Sequence, residues 1–111
     1  MKTVTQIFQQ ANTISILGNP DVEISQLTID SRQVAPKTLF AALKGTQTDG
    51  HSYIQKAIEL GASAILCQDL PEVINPEVTY IQVADSAEAL GYASSNFYDN
   101  PSSKLKLVGI T

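Results

Sequence analysis

The sequence has few of the residues that hold small proteins together through covalent bonds or metal ions. Its 111 residues include one cysteine, so an internal disulfide cannot form. One cysteine and one histidine also cannot supply the four ligands of a structural zinc site. Stability must therefore come from packing, and 43% hydrophobic residues are enough for one ordinary core in a single domain.

Positive charge and long apolar runs are scarce as well. Seven Lys and Arg residues are scattered among eleven Asp and Glu residues, and the net charge of −4 disfavours binding to nucleic acid or anionic lipid. No stretch approaches the roughly 18 apolar residues that span a bilayer, and the N-terminal sequence MKTVTQIFQQANT is too polar for a signal peptide. We expect a soluble cytoplasmic domain whose partners include neither nucleic acid nor a membrane.

Hydrophobic periodicity predicts strands that alternate with helices. Apolar residues within 4–11 recur at helical spacing, whereas Ala62–Cys67 is a continuous apolar run of strand length. Residues 14–17 are consistent either with a strand or with a segment that packs on the core. Interleaved strands and helices favour a single-domain α/β sandwich. The other predicted strands are 24–30, 38–43 and 78–83, and the other predicted helices run from 54 to Gly61 and from Asp85 or Ser86 to about residue 99.

Two predicted strand exits carry polar residues suited to binding. Asp30-Ser31-Arg32 follows one strand, and the loop 44–50 follows the next and leads into a helix. Ligands of α/β sheets gather beyond the carboxyl ends of strands, and a helix entry exposes N–H groups that suit an anion. Gly45 and Gly50 permit close approach of the backbone to a ligand. The neutral side chains that can contact a uracil edge or ribose hydroxyls are Ser31, Thr46, Gln47 and Thr48.

Spacing alone favours a plainer interpretation, in which 44–50 is a polar surface loop and Asp49 caps the helix. The two glycines have Walker-like spacing, but His51-Ser52 stands where Lys-Ser/Thr is required, so the loop is not an ATP site. His51 can donate to a phosphate. A histidine at a helix entry, with its ring satisfied by the backbone, is the favoured interpretation.

Other reactive or aromatic side chains also have structural explanations. Arg32 can either clamp a diphosphate or pair with Asp30. Cys67 lies inside an apolar run and is interpreted as a small buried hydrophobe. Phe97 and Tyr98, near the end of the last predicted helix, are interpreted as core and interdomain packing.

Several sequence islands, in their order and spacing, resemble the N-terminal domain of the Mur ligases. The tail 96–111, which contains Phe-Tyr, Pro-Ser and the strand-like LKLVGIT, is similar to the members that add the third residue of the peptidoglycan stem peptide. The other islands are TIDSR at 28–32, LFAALKG at 39–45, DGH at 49–51 and the segment 57–62.

The resemblance implies a three-domain enzyme with a UDP-binding N-terminal domain, a central P-loop ATPase and a C-terminal amino-acid-binding domain. Residues 1–103 would form the UDP-sugar-binding domain, a mixed β-sheet flanked by helices. Residues 104–111 would be the first strand of the central domain. Relatives use ATP and Mg²⁺ to turn the substrate carboxylate into an acyl phosphate, which the incoming amine attacks. Because those groups belong to the other domains, we expect the 111-residue fragment alone to bind neither ATP nor Mg²⁺ and to be inactive.

The implied substrate is UDP-N-acetylmuramoyl-L-alanyl-D-glutamate, to which meso-diaminopimelate or L-lysine is added. By position, Ile29, Ser31 and the tripeptide Thr46-Gln47-Thr48 match residues that contact the UDP moiety in relatives. The weaker candidates are Arg32, Gly45 and His51, and no catalytic residue or metal ligand is expected. The alternatives are the ligase that adds D-alanyl-D-alanine and a stand-alone, non-catalytic nucleotide-sugar-binding module.

Two positions depart from the family pattern. Relatives carry Pro-Gly-Asp-Leu-Phe where this chain has PKTLF at 36–40, and a type I turn would tolerate the missing glycine. Several relatives have His-Gln where Thr46-Gln47 stands, so Thr46 lacks the ring that they can place against the nucleotide.

Overall fold

The computed structural model describes residues 2–9, 13–44 and 50–98, in which helices are interleaved among the strands as predicted. The strand predicted within 104–111 lies outside the described residues. The strands are β1 (Lys2–Thr3), β2 (Thr13–Leu17), β3 (Glu23–Ile24), β4 (Gln26–Thr28), β5 (Thr38–Ala41), β6 (Ala62–Cys67) and β7 (Thr79–Val83). The α-helices are α1 (Val4–Ile7), α2 (Ile54–Glu59) and α3 (Ser86–Phe97), and two 3₁₀ turns cover Ser31–Gln33 and Gly50–Tyr53.

Five of these strands form one mixed sheet in the order β2-β7-β6-β5-β4. β4, β5, β6 and β7 are parallel neighbours, whereas the edge strand β2 is antiparallel to β7. β1 and β3 form a separate antiparallel pair. The predicted α/β class and mixed sheet are confirmed, and residues 14–17 belong to an edge strand. The carboxyl ends of the four parallel strands therefore lie along one edge of the sheet.

Apolar side chains cover both faces of this sheet. Along β6, Ala64 and Leu66 pack in a cluster with α1 and α3, while Ile65 and Cys67 pack in a second cluster with α2. Successive side chains of a strand point to opposite faces, so a central parallel strand needs a near-continuous apolar run. Cys67 is buried, as predicted, and desolvation raises its pKa to about 11.

α3 packs on the sheet through one apolar face, and the predicted core packing of Phe97 is confirmed. Ala89 and Ala93 are buried against the sheet, and Phe97 packs against the same cluster, whereas Tyr98 is exposed. The helix begins after Asp85, whose carboxylate accepts N–H groups of the first turn at 3.0 and 3.1 Å. Among the described helices, none has both the length and the apolar character that a bilayer span requires.

Two elements depart most from their predicted bounds. α1 ends at Ile7 rather than at residue 11, and the strand predicted over 24–30 is divided between two sheets. At this division the N–H and the hydroxyl of Ser25 both donate to the carbonyl oxygen of Lys37, at 2.7 and 3.2 Å. Because Lys37 is distant in sequence, the periodicity of residues 24–30 carries no sign of the break.

The turn that contains Lys37 corrects the type I prediction. Lys37 has a φ of 66°, in the left-handed region, whereas both central residues of a type I turn have negative φ. A side chain is disfavoured in that region, while glycine adopts it freely. The geometry therefore accounts for the glycine of the family pattern, and the two hydrogen bonds from Ser25 to the Lys37 carbonyl help to hold the strained turn.

We expect Lys37→Gly to raise the free energy of unfolding by about 1 kcal/mol, because it removes the left-handed strain. The matched control is Lys56→Gly in α2, where the backbone is helical and glycine should lower that free energy by about 1 kcal/mol. Urea denaturation of the chain measures both values. Destabilisation by the glycine at position 37 as well would contradict the assigned turn.

Candidate functional site

The chain leaves β4 through a turn that its own side chains hold. The N–H of Asp30 donates to Thr28 Oγ1 at 3.0 Å. Asp30 Oδ1 accepts the N–H of Arg32 at 2.9 Å and so caps the 3₁₀ turn Ser31–Gln33. Side-chain acceptors of this kind satisfy N–H groups that a tight turn leaves without a backbone partner. The exit of β4 is therefore a defined turn rather than an open loop.

An open cleft of about 530 Å³ lies beside this exit. The described residues that line it are Ile29, Asp30, Ser31, Arg32 and Tyr53. Three candidates from the sequence thus share one cleft, whose volume falls in the range of small-molecule sites. Tyr53 reaches it from another part of the chain, at the end of the turn that precedes α2.

The cleft combines exposed apolar surface with a few polar groups. Ile29 is 57% exposed and Tyr53 is 44% exposed, which is high for such large apolar side chains. Ser31 is only 8% exposed, and its hydroxyl makes no hydrogen bond to another of the described residues. Apolar walls with a small number of available polar groups are typical of ligand sites.

The charged groups of the cleft form an ion pair. Arg32 Nε and Nη2 donate to Oδ1 and Oδ2 of Asp30, each at 3.1 Å. This side-chain hydrogen bonding lowers the pKa of Asp30 and raises the pKa of Arg32, so both groups stay charged at neutral pH. The predicted ion pair is confirmed. Since the Arg32 side chain is 86% exposed, its outward N–H groups face solvent, and the diphosphate clamp stays a prediction.

The ends of the candidate loop are drawn together at the carboxyl end of β5. The N–H of Gly50 donates to the carbonyl oxygen of Leu43 at 2.7 Å. A Cβ on Gly50 would lie 2.7 Å from the backbone nitrogen of Leu43, so this close approach requires glycine. Lys44 Nζ lies 2.7 Å from Asp69 Oδ2, which connects the loop to the end of β6. The candidates Gly45, Thr46, Gln47 and Thr48 lie outside the described residues.

His51 holds the turn that follows this loop. Its Nε2 accepts the N–H of Gln68 at 2.9 Å and that of Asp69 at 3.2 Å. A ring nitrogen that accepts hydrogen bonds carries no proton. The interpretation of His51 as a residue satisfied by the backbone is therefore confirmed. His51 is not among the described lining of the cleft, and its contact with a phosphate stays a prediction.

The helix after the loop begins at Ile54, as the periodicity predicts, but it does not follow the loop directly. The 3₁₀ turn Gly50–Tyr53 intervenes, and the N-cap of α2 is Tyr53, which makes no side-chain capping bond. Asp49, the cap that the plainer interpretation names, lies outside the described residues. The hydrogen bonds of Gly50 to Leu43 and of His51 to the end of β6 hold the chain in the tighter turn.

Tyr53 was not identified from the sequence. It is separated from Ser31 by more than twenty residues, and an aromatic residue next to Ile54 is equally consistent with core packing. The sequence does hold one indication: Ile54 and Ala57 occupy the buried face of the helix, and Tyr53 does not fall on that face. Only the fold shows that the turn before α2 lies next to the exit of β4.

Another depression, shallower and about 340 Å³ in volume, lies on α3 and is lined by Glu88, Gly91, Tyr92 and Ser95. None of these residues was a candidate from the sequence, so they provide matched controls for the cleft. Within the three described ranges, no three His, Cys, Asp or Glu side chains are grouped as a metal site requires.

A family model described as "Mur ligase family, catalytic domain" matches residues 23–98. Proteins named UDP-N-acetylmuramoyl-L-alanyl-D-glutamate–2,6-diaminopimelate ligase are similar to the chain. That of Bacteroides fragilis is 56% identical over 106 residues, or 96% of this chain and 22% of the relative. That of Cytophaga hutchinsonii is 47% identical over 109 residues, or 97% of this chain and 22% of the relative. The chain thus spans about a fifth of the length of the curated relatives it matches.

Solved structures share the fold. MurF from Acinetobacter baumannii superposes with a TM-score of 0.72 at 24% identity, over 91% of this chain and 22% of that one. A MurF ligase from Thermotoga maritima, in complex with ADP, superposes with a TM-score of 0.60 at 25% identity. The superposition covers 72% of this chain and 18% of that one. At such low identity the likeness to the Acinetobacter protein concerns the fold alone.

We expect Gly50→Ala to lower the free energy of unfolding by about 1 to 3 kcal/mol, because the methyl group overlaps the Leu43 backbone. Gly91→Ala is the control, since no atom lies within 4 Å of a Cβ there and alanine favours a helix, so it should raise stability by about 0.5 to 1 kcal/mol. Thermal or urea unfolding measures both. A neutral Gly50→Ala would show that the contact between Gly50 and Leu43 is not tight.

Proposed function

Because the chain belongs to the Mur ligase family, we propose that it is the nucleotide-sugar-binding domain of a ligase that joins 2,6-diaminopimelate to UDP-N-acetylmuramoyl-L-alanyl-D-glutamate. The observation that supports this proposal most directly is the cleft beyond β4. It brings together Ile29 and Ser31, which the family resemblance indicates, and Arg32, a weaker candidate from the same predicted strand exit. The names of the similar proteins favour 2,6-diaminopimelate over L-lysine as the added residue.

The chemistry of each of these side chains suits a different contact with the nucleotide sugar. The Ser31 hydroxyl can both donate and accept, so it can bind a uracil edge or a ribose hydroxyl. Arg32 offers outward N–H groups to a diphosphate, and Asp30 fixes the direction of its guanidinium group. Ile29 presents an apolar wall.

The tripeptide Thr46-Gln47-Thr48 completes the proposed site. Its flanking residues, Lys44 and Gly50, lie at the carboxyl end of β5, and β5 is the neighbour of β4 in the sheet. A short segment that starts and ends there can place neutral donors and acceptors beside the cleft. We retain Gly45 as a position of close backbone approach and His51 as a weaker candidate for contact with a phosphate.

A domain of this kind contributes to catalysis from a distance. Contacts with the nucleotide, a remote and unreactive part of the substrate, hold the reacting carboxylate in place and reduce the entropic cost of the chemical step. In this proposal residues 1–103 form the anchoring domain, residues 104–111 enter the central domain, and the whole enzyme is cytoplasmic. ATP with Mg²⁺, bound by the other domains, supplies the phosphoryl group that activates the carboxylate, so the fragment alone has no ligase activity.

We expect Ser31→Ala in the full-length protein to raise KM for the UDP-sugar dipeptide by about threefold to tenfold, the value of one hydrogen bond. KM for ATP should not change, because Ser31 lies in the nucleotide-sugar domain. Ser95→Ala, on the exposed face of α3, is the matched control and should leave both constants unaltered. Steady-state kinetics with each substrate varied in turn provides the measurement.

Three results of the same assays would each contradict part of the proposal. An unaltered KM for the UDP-sugar in Ser31→Ala would remove this residue from the site. Amide formation with D-alanyl-D-alanine instead of 2,6-diaminopimelate would assign the chain to another step, and a lack of any ligase activity in the full-length protein would favour a binding module.

A further inference from the structure

We propose that Tyr53 binds the planar base of the nucleotide, with Ile29 as a second apolar contact. This inference rests on the proposed function and extends it, because it assigns the base rather than the sugar or diphosphate to one part of the cleft. The two side chains are the large apolar members of the described lining, and they come from two separate turns of the chain.

Tyr53 is exposed although the next residue in the chain is buried. Its neighbour Ile54 is buried at 3%, and Tyr80 is fully buried with its hydroxyl bound by the N–H of Asn75 at 3.0 Å. Tyr53 instead keeps 44% of its surface exposed at the cleft, and Ile29 keeps 57%. Exposed apolar surface in a cleft favours the binding of a flat, weakly polar ring, because the ring displaces water from that surface.

The backbone that carries Tyr53 is held firmly. The turn Gly50–Tyr53 begins at the hydrogen bond from Gly50 to Leu43 and continues through His51, whose ring accepts two N–H groups at the end of β6. The turn is followed directly by Ile54, which is packed in the core. Little backbone freedom is therefore lost when a ligand binds, which favours affinity.

The chemistry of each lining side chain indicates which part of a nucleotide it would contact. Arg32 and the Ser31 hydroxyl are polar, and the charge of Arg32 suits the diphosphate. The aromatic face of Tyr53 suits any base, since every base offers a π face for stacking. Uracil selectivity would then come from polar groups such as Ser31, while Tyr53 and Ile29 supply affinity.

Titration of UDP into the full-length protein tests this assignment, with saturating ADP present to occupy any adenine-nucleotide site. We expect Tyr53→Ala to weaken UDP binding by at least about fivefold, because stacking of one base on an aromatic ring contributes that much or more. Tyr53→Phe keeps the ring and should bind within about twofold of the wild type. Tyr92→Ala removes an equally exposed tyrosine on α3 and should have no effect.

The proton resonances of the uracil ring provide a second readout that a merely structural role would not affect. Stacking on Tyr53 should move the H5 and H6 resonances of bound UDP upfield in the wild type and in Tyr53→Phe, but not in Tyr53→Ala. This readout does not depend on the alanine variant, so the inference stays testable even if that variant fails to fold.

The outcomes separate the inference from the proposed function. If wild-type protein binds UDP without an upfield shift, or if folded Tyr53→Ala binds as tightly as the wild type, Tyr53 does not contact the base and the proposed function still stands. If neither UDP nor the UDP-sugar dipeptide binds the wild type, the proposed function fails and the assignment of Tyr53 fails with it.

Discussion

The parallel pairing of β4 with β5 is the constraint on which the candidate site depends. Thr38, the first residue of β5, is fully buried, and its hydroxyl oxygen accepts both Gln26 Nε2 at 3.0 Å and the N–H of Ala35 at 3.1 Å. The same Gln26 nitrogen donates to the carbonyl oxygen of Gln33 at 2.9 Å. Buried polar groups are costly unless they are paired, so these bonds fix the register of the two strands and the path of the chain between them.

The cleft follows from this pairing. The chain leaves β4 at Thr28 and returns to β5 at Thr38, so the segment between them is anchored at both ends, and the capping bond of Asp30 shapes its outward part. The loop after β5 begins beside this segment because the two strands are parallel neighbours. The hydrogen bond from Gly50 to Leu43 closes this loop, and the turn that follows it brings Tyr53 to the cleft. The candidate site is thus built on the rigid edge of the sheet.

The sequence alone was enough to predict the elements whose structure depends on residues that are close together in the chain. β6 matches its predicted bounds at both ends because it is buried on both faces, and Asp85 caps α3 through adjacent atoms. The division at Ser25 and the left-handed Lys37 escaped prediction, because each depends on the other across the fold. In the cleft, Ile29, Ser31 and Arg32 were predictable because they are neighbours at one strand exit. Tyr53 was not, because it joins them only through the pairing of distant strands.

Backbone amide resonances of the ¹⁵N-labelled chain, followed while the UDP-sugar dipeptide is added, test the central claim most directly. The account predicts that the largest chemical-shift changes fall on Ile29–Arg32 and on the turn Gly50–Tyr53, while the α3 face around Tyr92 stays unchanged. Changes that concentrate on α3, with the exit of β4 unaffected, would contradict it.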